Sequence, residues 1–305
     1  MKKVAVMNDL SGFGKCSLTV AIPVLSVMGV QCCPLPSAVL TGQSEYEYYH
    51  CKDLTDMIPL YTDAWQKNNV SFDAIYSGYM MGLTQIKHFL DFLKVFHGEK
   101  TFLLVDPVMG DDGMKYDVFS QELLAGMKEL SRYAQMITPN LTEACLLADR
   151  DISFVCEKHS TDYLLKTAEE LAFQLKECAQ TEQEVVITGI KCYDKQTPYM
   201  YNLATTSNGI FTTQTKLFDR SFSGTGDLFA SIMCGCRVNG MSTESAMKLA
   251  ERFLHRCIED TMKEDISTND GVNFERFLGE LIQGISKLQN LFSFQYSLID
   301  IALHL

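Results

Sequence analysis

One stretch of this 305-residue chain gathers the residue types that phosphoryl chemistry needs: Ser221-Phe222-Ser223-Gly224-Thr225-Gly226-Asp227-Leu228-Phe229, followed by an apolar run from Ala230 to Cys236. The pattern predicts a turn feeding a helix N-terminus. Gly224 and Gly226 allow positive φ and close backbone approach, Thr225 suits the N-cap, and Asp227 falls in the first turn. A helix start of this kind leaves N–H groups unpaired and carries about half a positive charge, which suits phosphate oxygens. Asp227 would stand beside that anion hole, able to take the proton of an alcohol attacking a phosphoryl group. The same residues also suit an ordinary capped helix, where a first-turn acid gains about 0.3–1 kcal/mol from the dipole alone.

Further polar clusters lie where strands are expected to end. Asp106, Asp111 and Asp112 follow the buried run Thr101–Val105 among glycines. Three carboxylates so placed suit a hard divalent ion, which prefers oxygen ligands, while a turn built from Asp and Gly accounts for them equally well. Asp9 and Ser11 follow Val4–Met7, at the carboxyl edge where open α/β sheets bind ligands. A polar loop containing Ser44 follows the strand Val30–Leu35, and Ser77-Gly78-Tyr79 follows Phe72–Tyr76. Thr138-Pro139-Asn140-Leu141-Thr142-Glu143 opens a helix after Gln135–Ile137, with Asn140 or Thr142 as its cap, and Thr188-Gly189 ends the strand that starts at Glu184. The glycines at 12 and 14 satisfy neither the dinucleotide fingerprint nor the P-loop.

The elements that must position these clusters alternate in type. Helices are expected over Cys16–Met28, kinked at Pro23, then over Asp53–Lys67, Thr84–Phe96, Thr161–Ala179, Thr243–Met262 and Asn273–Ile285. Between Lys191 and Phe218, Tyr/Thr-rich alternation with Pro198 and Asn208-Gly209 predicts an antiparallel hairpin. Strand followed by helix, repeated, means an α/β fold: a mostly parallel sheet, right-handed crossovers and helices on both faces. No linker-like segment interrupts the chain, so one domain over residues 1–285 is expected, with 286–305 as a C-terminal extension.

Composition excludes several partners. A formal charge of −12, with Lys and Arg scattered singly, argues against nucleic acid and anionic membrane. The N-terminus lacks a signal-peptide core and no apolar run reaches bilayer length, so a cytoplasmic location is expected. Eleven cysteines, odd in number and without a C-x-x-C pair, predict buried reduced thiols rather than disulfides or a zinc site.

Asp106-Pro107-Val108-Met109-Gly110-Asp111, Thr138-Pro139-Asn140-Leu141-Thr142-Glu143-Ala144 and Gly224-Thr225-Gly226-Asp227-Leu228-Phe229, in this order, resemble the motifs of the ribokinase-like superfamily. With Thr41-Gly42-Gln43-Ser44-Glu45-Tyr46 and Ser77-Gly78-Tyr79, the chain is most similar to the pyridoxal (pyridoxine/pyridoxamine) kinases. The resemblance implies a three-layer ribokinase-like fold with a small hairpin extension. It implies ATP-dependent phosphorylation of the 5′-hydroxymethyl group of a B6 vitamer, with Mg²⁺ or a similar divalent ion, a K⁺ or Na⁺ ion, and a homodimer. Carried over by position, Asp227 is the base and the amides of Gly224, Thr225, Gly226 and Asp227 form the anion hole. Asp106 and Asp111 lie near the metal and γ-phosphate, with Glu143 orienting the metal's water shell. Thr138, Asn140, Thr188 and Gly189 line the nucleotide side; Asp9, Ser11, Ser44 and Tyr79 surround the pyridine ring. The same fold also serves hydroxymethylpyrimidine (phosphate) kinases and sugar or nucleoside kinases, of which the pyrimidine kinases are the nearer alternative.

Overall fold

The apolar run that opens the chain alternates between two interiors: Val4 and Val6 face one packed layer, Ala5 and Met7 the other. A strand apolar on both faces must be covered on both. In the computed structural model, which describes residues 1–193, 197–282 and 284, this strand is the centre of the architecture. The chain runs through β1 (Lys2–Ser11), α1 (Ser17–Val27), β2 (Val30–Leu40), β3 (Cys51–Asp53), α2 (Met57–Lys67), β4 (Ala74–Ser77) and α3 (Leu83–Phe96). It continues through β5 (Phe102–Val105), a two-stranded flap β6 (Gly110–Asp111) and β7 (Met114–Lys115), α4 (Gln121–Ser131), β8 (Met136–Ile137) and α5 (Leu141–Leu147). After a 3₁₀ turn at Ser153–Cys156 come α6 (Thr161–Glu177), β9 (Glu184–Cys192), β10 (Tyr199–Thr206), β11 (Gly209–Lys216), α7 (Thr225–Val238) and α8 (Thr243–Thr261).

The main sheet has the order β11-β10-β9-β8-β5-β4-β1-β2-β3. Every pairing from β9 across to β2 is parallel; β3 and the β10–β11 hairpin pair antiparallel at the two margins. Helices α2 to α6 cover one face, supplying Ile58, Phe89, Leu123, Leu141 and Leu164 to its core. Helices α1, α7 and α8 cover the other with Leu18, Ile232 and Phe253. Each fully buried side chain of this size contributes about 1.5–3 kcal/mol relative to exposure, so the two cores fix which side chains of each strand point into each layer. The α/β class, the mostly parallel sheet, the covering on both faces and the hairpin all match the expectation.

Strand order reverses at β1: the chain goes from β1 to β2 on one side, then crosses to β4 and proceeds outward to β9. The carboxyl ends of β1 and β4 therefore diverge at a crevice, the place where open sheets of this kind take ligands.

Four boundaries differ from the sequence expectation. Strand β1 extends to Ser11, so Asp9 and Ser11 belong to the strand itself. Strand β2 runs to Leu40 rather than ending at Leu35, because Ala38 and Leu40 are buried and β3 supplies a partner on its outer side. Helix α2 starts at Met57 and not Asp53, since the Asp53 carboxylate accepts the Thr55 N–H at 2.7 Å and turns the chain first. The helix expected over 273–285 begins with a 3₁₀ turn at Glu275–Phe277 and is helical over 278–282; its last residues and the extension 286–305 fall outside the described residues, apart from residue 284. All eleven cysteines are free thiols, six of them buried. Among the described residues no helix is long and apolar enough to cross a membrane.

Candidate active site

Helix α7 points its N-terminus at the crevice. Its N-cap is Gly224, in the left-handed region at φ +76°, and not Thr225, which is the first helical residue and donates its hydroxyl to the Phe222 carbonyl at 3.1 Å. The reason is space. A Cβ at position 224 would lie 1.9 Å from the Lys15 carbonyl oxygen, so the turn presses directly on the loop after β1. Position 226 is the opposite case: it is exposed, and a Cβ there would meet nothing within 4 Å. Open space therefore faces the first-turn amides, where an anion would be held.

Asp227 sits in that first turn and is joined to β1. Asn8 Nδ2 donates to its Oδ1 at 3.0 Å, and the Ser17 backbone amide faces the same carboxylate. Burial pushes its pKa up to about 6, the Asp9 charge adds to the rise, and the Ser17 and Asn8 donors oppose it. Asp9 is buried one residue after Asn8. It accepts Ser17 Oγ at 2.5 Å and Ser11 Oγ at 2.8 Å, which together only partly offset the upward push of burial. Asn8 also orients the second strand of the crevice, because its Oδ1 accepts the Tyr79 N–H at 2.9 Å. The Tyr79 ring is half-buried, and burial and then the Asp9 charge push its phenol pKa up.

The loop after β2 folds over this side. Gln43, buried, accepts the Glu45 N–H at 2.9 Å through its side chain and donates its own backbone N–H to the Phe13 carbonyl at 2.9 Å. Tyr46 donates to Asp270, and Asn269 Nδ2 donates to the Glu45 carbonyl at 2.9 Å. Ser44 is exposed at the turn of this loop, while its neighbour Gln43 is the inward residue.

On the far side of α7, the ends of β5 and β8 bring together the other acids. Asp106 is buried, with Thr138 Oγ1 donating to it at 3.0 Å; burial and then the Asp227 charge raise its pKa well above the carboxylate range. Glu143 closes a capping box with Asn140: its Oε2 accepts the Asn140 N–H at 2.9 Å and Asn140 Oδ1 accepts the Glu143 N–H at 3.0 Å. Its other oxygen accepts the Met109 N–H at 3.0 Å, so Glu143 tethers the Asp-Pro-Val-Met-Gly-Asp loop to α5. Burial and the Asp106 charge raise its pKa. Asp111 is exposed on β6. Among the described residues no three Asp, Glu, His or Cys side chains converge as a ready-made metal cage.

Thr188 is joined to this group by a parallel bridge to Asn140, and Gly189 follows at φ +69° with open space beside it. A cavity of about 330 Å³ opens there, lined by residues that include Gly189, Lys191, Asp112, Leu141 and Cys156. Lys191 and Asp112 form an ion pair across it at 2.6 Å.

The geometry thus separates two wings about the α7 N-terminus. Asn8, Asp9, Ser11, Ser17 and Tyr79 make one; Asp106, Thr138, Asn140, Glu143, Thr188 and Gly189 make the other. Residues 24–272 match the family model described as phosphomethylpyrimidine kinase. The chain belongs to that family. A Bacteroides thetaiotaomicron protein assigned as a phosphomethylpyrimidine kinase, crystallised in a form with pyridoxal, is 35% identical, with a TM-score of 0.85 over 92% of this chain and 95% of that one. Pyridoxal kinase from Lactobacillus plantarum is 25% identical, with a TM-score of 0.79 over 95% and 98% of the two chains. The pyridoxine/pyridoxal/pyridoxamine kinase of Bordetella avium is 26% identical over 263 residues, 83% of each chain.

Sequence reasoning missed Asn8, Ser17 and Gln43. Asn8 was findable, as the polar residue that breaks the apolar run of β1 just before Asp9. Ser17 carries no sequence signal, because its hydroxyl reaches Asp9 only from a left-handed backbone that residue type does not announce.

Proposed function

We propose that this protein transfers the γ-phosphoryl group of ATP to the 5′-hydroxymethyl group of pyridoxal, pyridoxine or pyridoxamine, with Asp227 as general base. The observation that carries the reading is the placement of Asp227: a carboxylate tied to β1 at the sheet's switch point, one residue after an open glycine in a helix N-terminal turn. The 35% identical relative with pyridoxal supports the choice of acceptor.

In this reading the Asp9, Ser11 and Tyr79 wing takes the ring, and Ser44 lies at the rim of the covering loop. The alcohol oxygen forms a bond to the γ-phosphorus as the bond to the bridging oxygen of ADP breaks, and the alcohol proton passes to Asp227. The amides of Gly224 to Asp227 hold the phosphoryl oxygens, which is the larger part of catalysis in such transfers. Thr138, Asn140, Thr188 and Gly189 line the nucleotide wing beside the cavity.

The donor set also fits a divalent ion. The Asp227 charge acts on Asp106, and the charges of Asp106 and Asp111 act on Glu143, so acids gather on this side of the α7 N-terminus, with Lys191 near Asp111. Mg²⁺ commonly keeps several waters and takes one or two carboxylates plus phosphate oxygens, so the absence of a full protein cage among the described residues is no obstacle. Asp106 and Asp111 would hold it, with Glu143, whose two oxygens already serve amides, acting through its water shell. When bound it would neutralise charge on the phosphates. A monovalent ion, a homodimer and a cytoplasmic location complete the proposal.

The family model favours a second reading, in which hydroxymethylpyrimidine or its phosphate is the acceptor. An ATP-consumption assay with pyridoxal, pyridoxine, pyridoxamine, hydroxymethylpyrimidine and hydroxymethylpyrimidine phosphate side by side decides between them. Turnover at least tenfold faster on a B6 vitamer, roughly 1.4 kcal/mol in transition-state binding, is expected. Preference for either pyrimidine overturns the vitamer assignment.

A further inference from the structure

The start of α1 contains an anomaly that the reaction scheme does not use. Ser17, the first residue of the helix, has φ +52°, a region that residues with a side chain seldom occupy, and it is buried. Glycine takes that conformation at no steric cost, so a serine there implies a task for its side chain. Both polar ends of Ser17 are engaged, with different acids. The hydroxyl donates to Asp9 Oδ1 at 2.5 Å, while the amide, turned inward by the left-handed backbone, faces Asp227.

The two acids repel one another, since the Asp9 charge is felt at Asp227. The side chains that hydrogen-bond them are neutral. Asp9 has the hydroxyls of Ser11 and Ser17; Asp227 has Asn8 Nδ2 and the Ser17 amide. Ser17 is the residue that meets both, its hydroxyl donating to Asp9 and its amide facing Asp227, from a backbone that a β-branched side chain would resist.

We propose that Ser17 is a positioning residue with two separable functions: its hydroxyl fixes Asp9 for the acceptor ring, and its left-handed amide aims Asp227 at the acceptor hydroxyl. The inference rests on the base role given to Asp227 above. It assigns substrate affinity to the side chain of Ser17 and turnover to its backbone.

Two substitutions take the functions apart. Ser17→Gly keeps the backbone and deletes the hydroxyl. Because a hydrogen bond to a charged group is worth about 1.5–3 kcal/mol, KM for the alcohol should rise about tenfold or more, with kcat and KM for ATP within about threefold of wild type. Ser17→Thr keeps a hydroxyl but resists positive φ, so the amide turns away. Misplacing a reacting group by about 1 Å can cost about 10²-fold, so kcat should fall by that order. Asp9→Asn should raise KM for the alcohol about as much as Ser17→Gly does, and the double variant should add less than about threefold to either, since both remove one interaction.

Steady-state kinetics on the folded enzymes, with melting temperatures recorded alongside, give the answer. The crossed pattern, KM in Gly and kcat in Thr, supports the proposal. Parallel losses of kcat in both variants that track a fall in melting temperature overturn it, as does wild-type KM in Ser17→Gly. Asp227→Asn is measured in the same series: if that variant turns over normally, the base assignment has failed and the Ser17 inference falls with it. If Asp227→Asn is inactive while Ser17→Gly is unaffected, only the Ser17 inference is lost.

Discussion

Replacing Asp227 by Asn should make the protein inactive and, above neutral pH, more stable. The folded structure holds this carboxyl at about 6 against an ordinary 3.8, chiefly by burial and then by the Asp9 charge. A group whose pKa is raised by folding contributes stability that is fully present below the unfolded value and is lost as pH climbs through the folded one. Asp227 therefore costs stability at pH 8 and not at pH 4. At 1.36 kcal/mol per unit, the shift corresponds to an upper figure of about 3 kcal/mol. Asn recovers less than that, because its NH₂ must face either Asn8 Nδ2 or the Ser17 amide, both donors, so a gain of about 1–2 kcal/mol is expected at pH 8. Urea unfolding of both proteins at pH 8 and pH 4 measures the difference, while a coupled ADP-release assay at pH 8 measures activity. Activity should fall by about 10²–10⁴-fold, the usual contribution of a general base. A variant that is less stable than wild type at pH 8, or equally shifted at both pH values, would refute the electrostatic argument; one that keeps its turnover would refute the assignment of the base.

Two more outcomes follow from the same cluster. With Asp227 the base, kcat/KM should rise with pH along a limb centred at about 6 and drop about fivefold between pH 6 and pH 5, so a profile flat from pH 5 to 7 would contradict it. The two glycines of the turn should behave in opposite ways: Gly224→Ala drives a methyl into the Lys15 carbonyl and should lower the melting temperature by several degrees, a cost of about 1–3 kcal/mol. Gly226→Val has free space and should fold normally while losing turnover through the obstructed amides; a fully active Gly226→Val would remove the anion hole from the scheme.

Much of this site could be read from residue order alone. Acids placed directly after buried apolar runs point to Asp9 and Asp106, since a sheet covered on both faces leaves only its strand ends for polar work, and glycines ahead of an apolar helix point to Asp227. The cap of α5 was narrowed to Asn140 or Thr142 from sequence, and the reciprocal bonds between Asn140 and Glu143 decide for Asn140. What sequence could not show is contact at long range or through the backbone. The Asn8–Asp227 bond links positions 219 apart, and nothing in either segment announces the other. Thr225 is a better cap by residue preference than Gly224, but a crowding carbonyl from Lys15 decided the matter. In the loop at 41–46 residue type alone did not show which side chain turns inward: the Gln43 N–H donates to the Phe13 carbonyl and Gln43 is buried, while Ser44 is exposed at the rim.

The crevice is stitched from the two extremes of the described chain: Asn8 with Asp227, the Lys15 amide with the Asp270 carbonyl, Tyr46 with Asp270. A polypeptide still emerging from the ribosome thus makes most of the sheet before it can close this crevice. Under the chemistry proposed above, a chain that stopped short of Asp227 would be silent rather than a wasteful consumer of ATP.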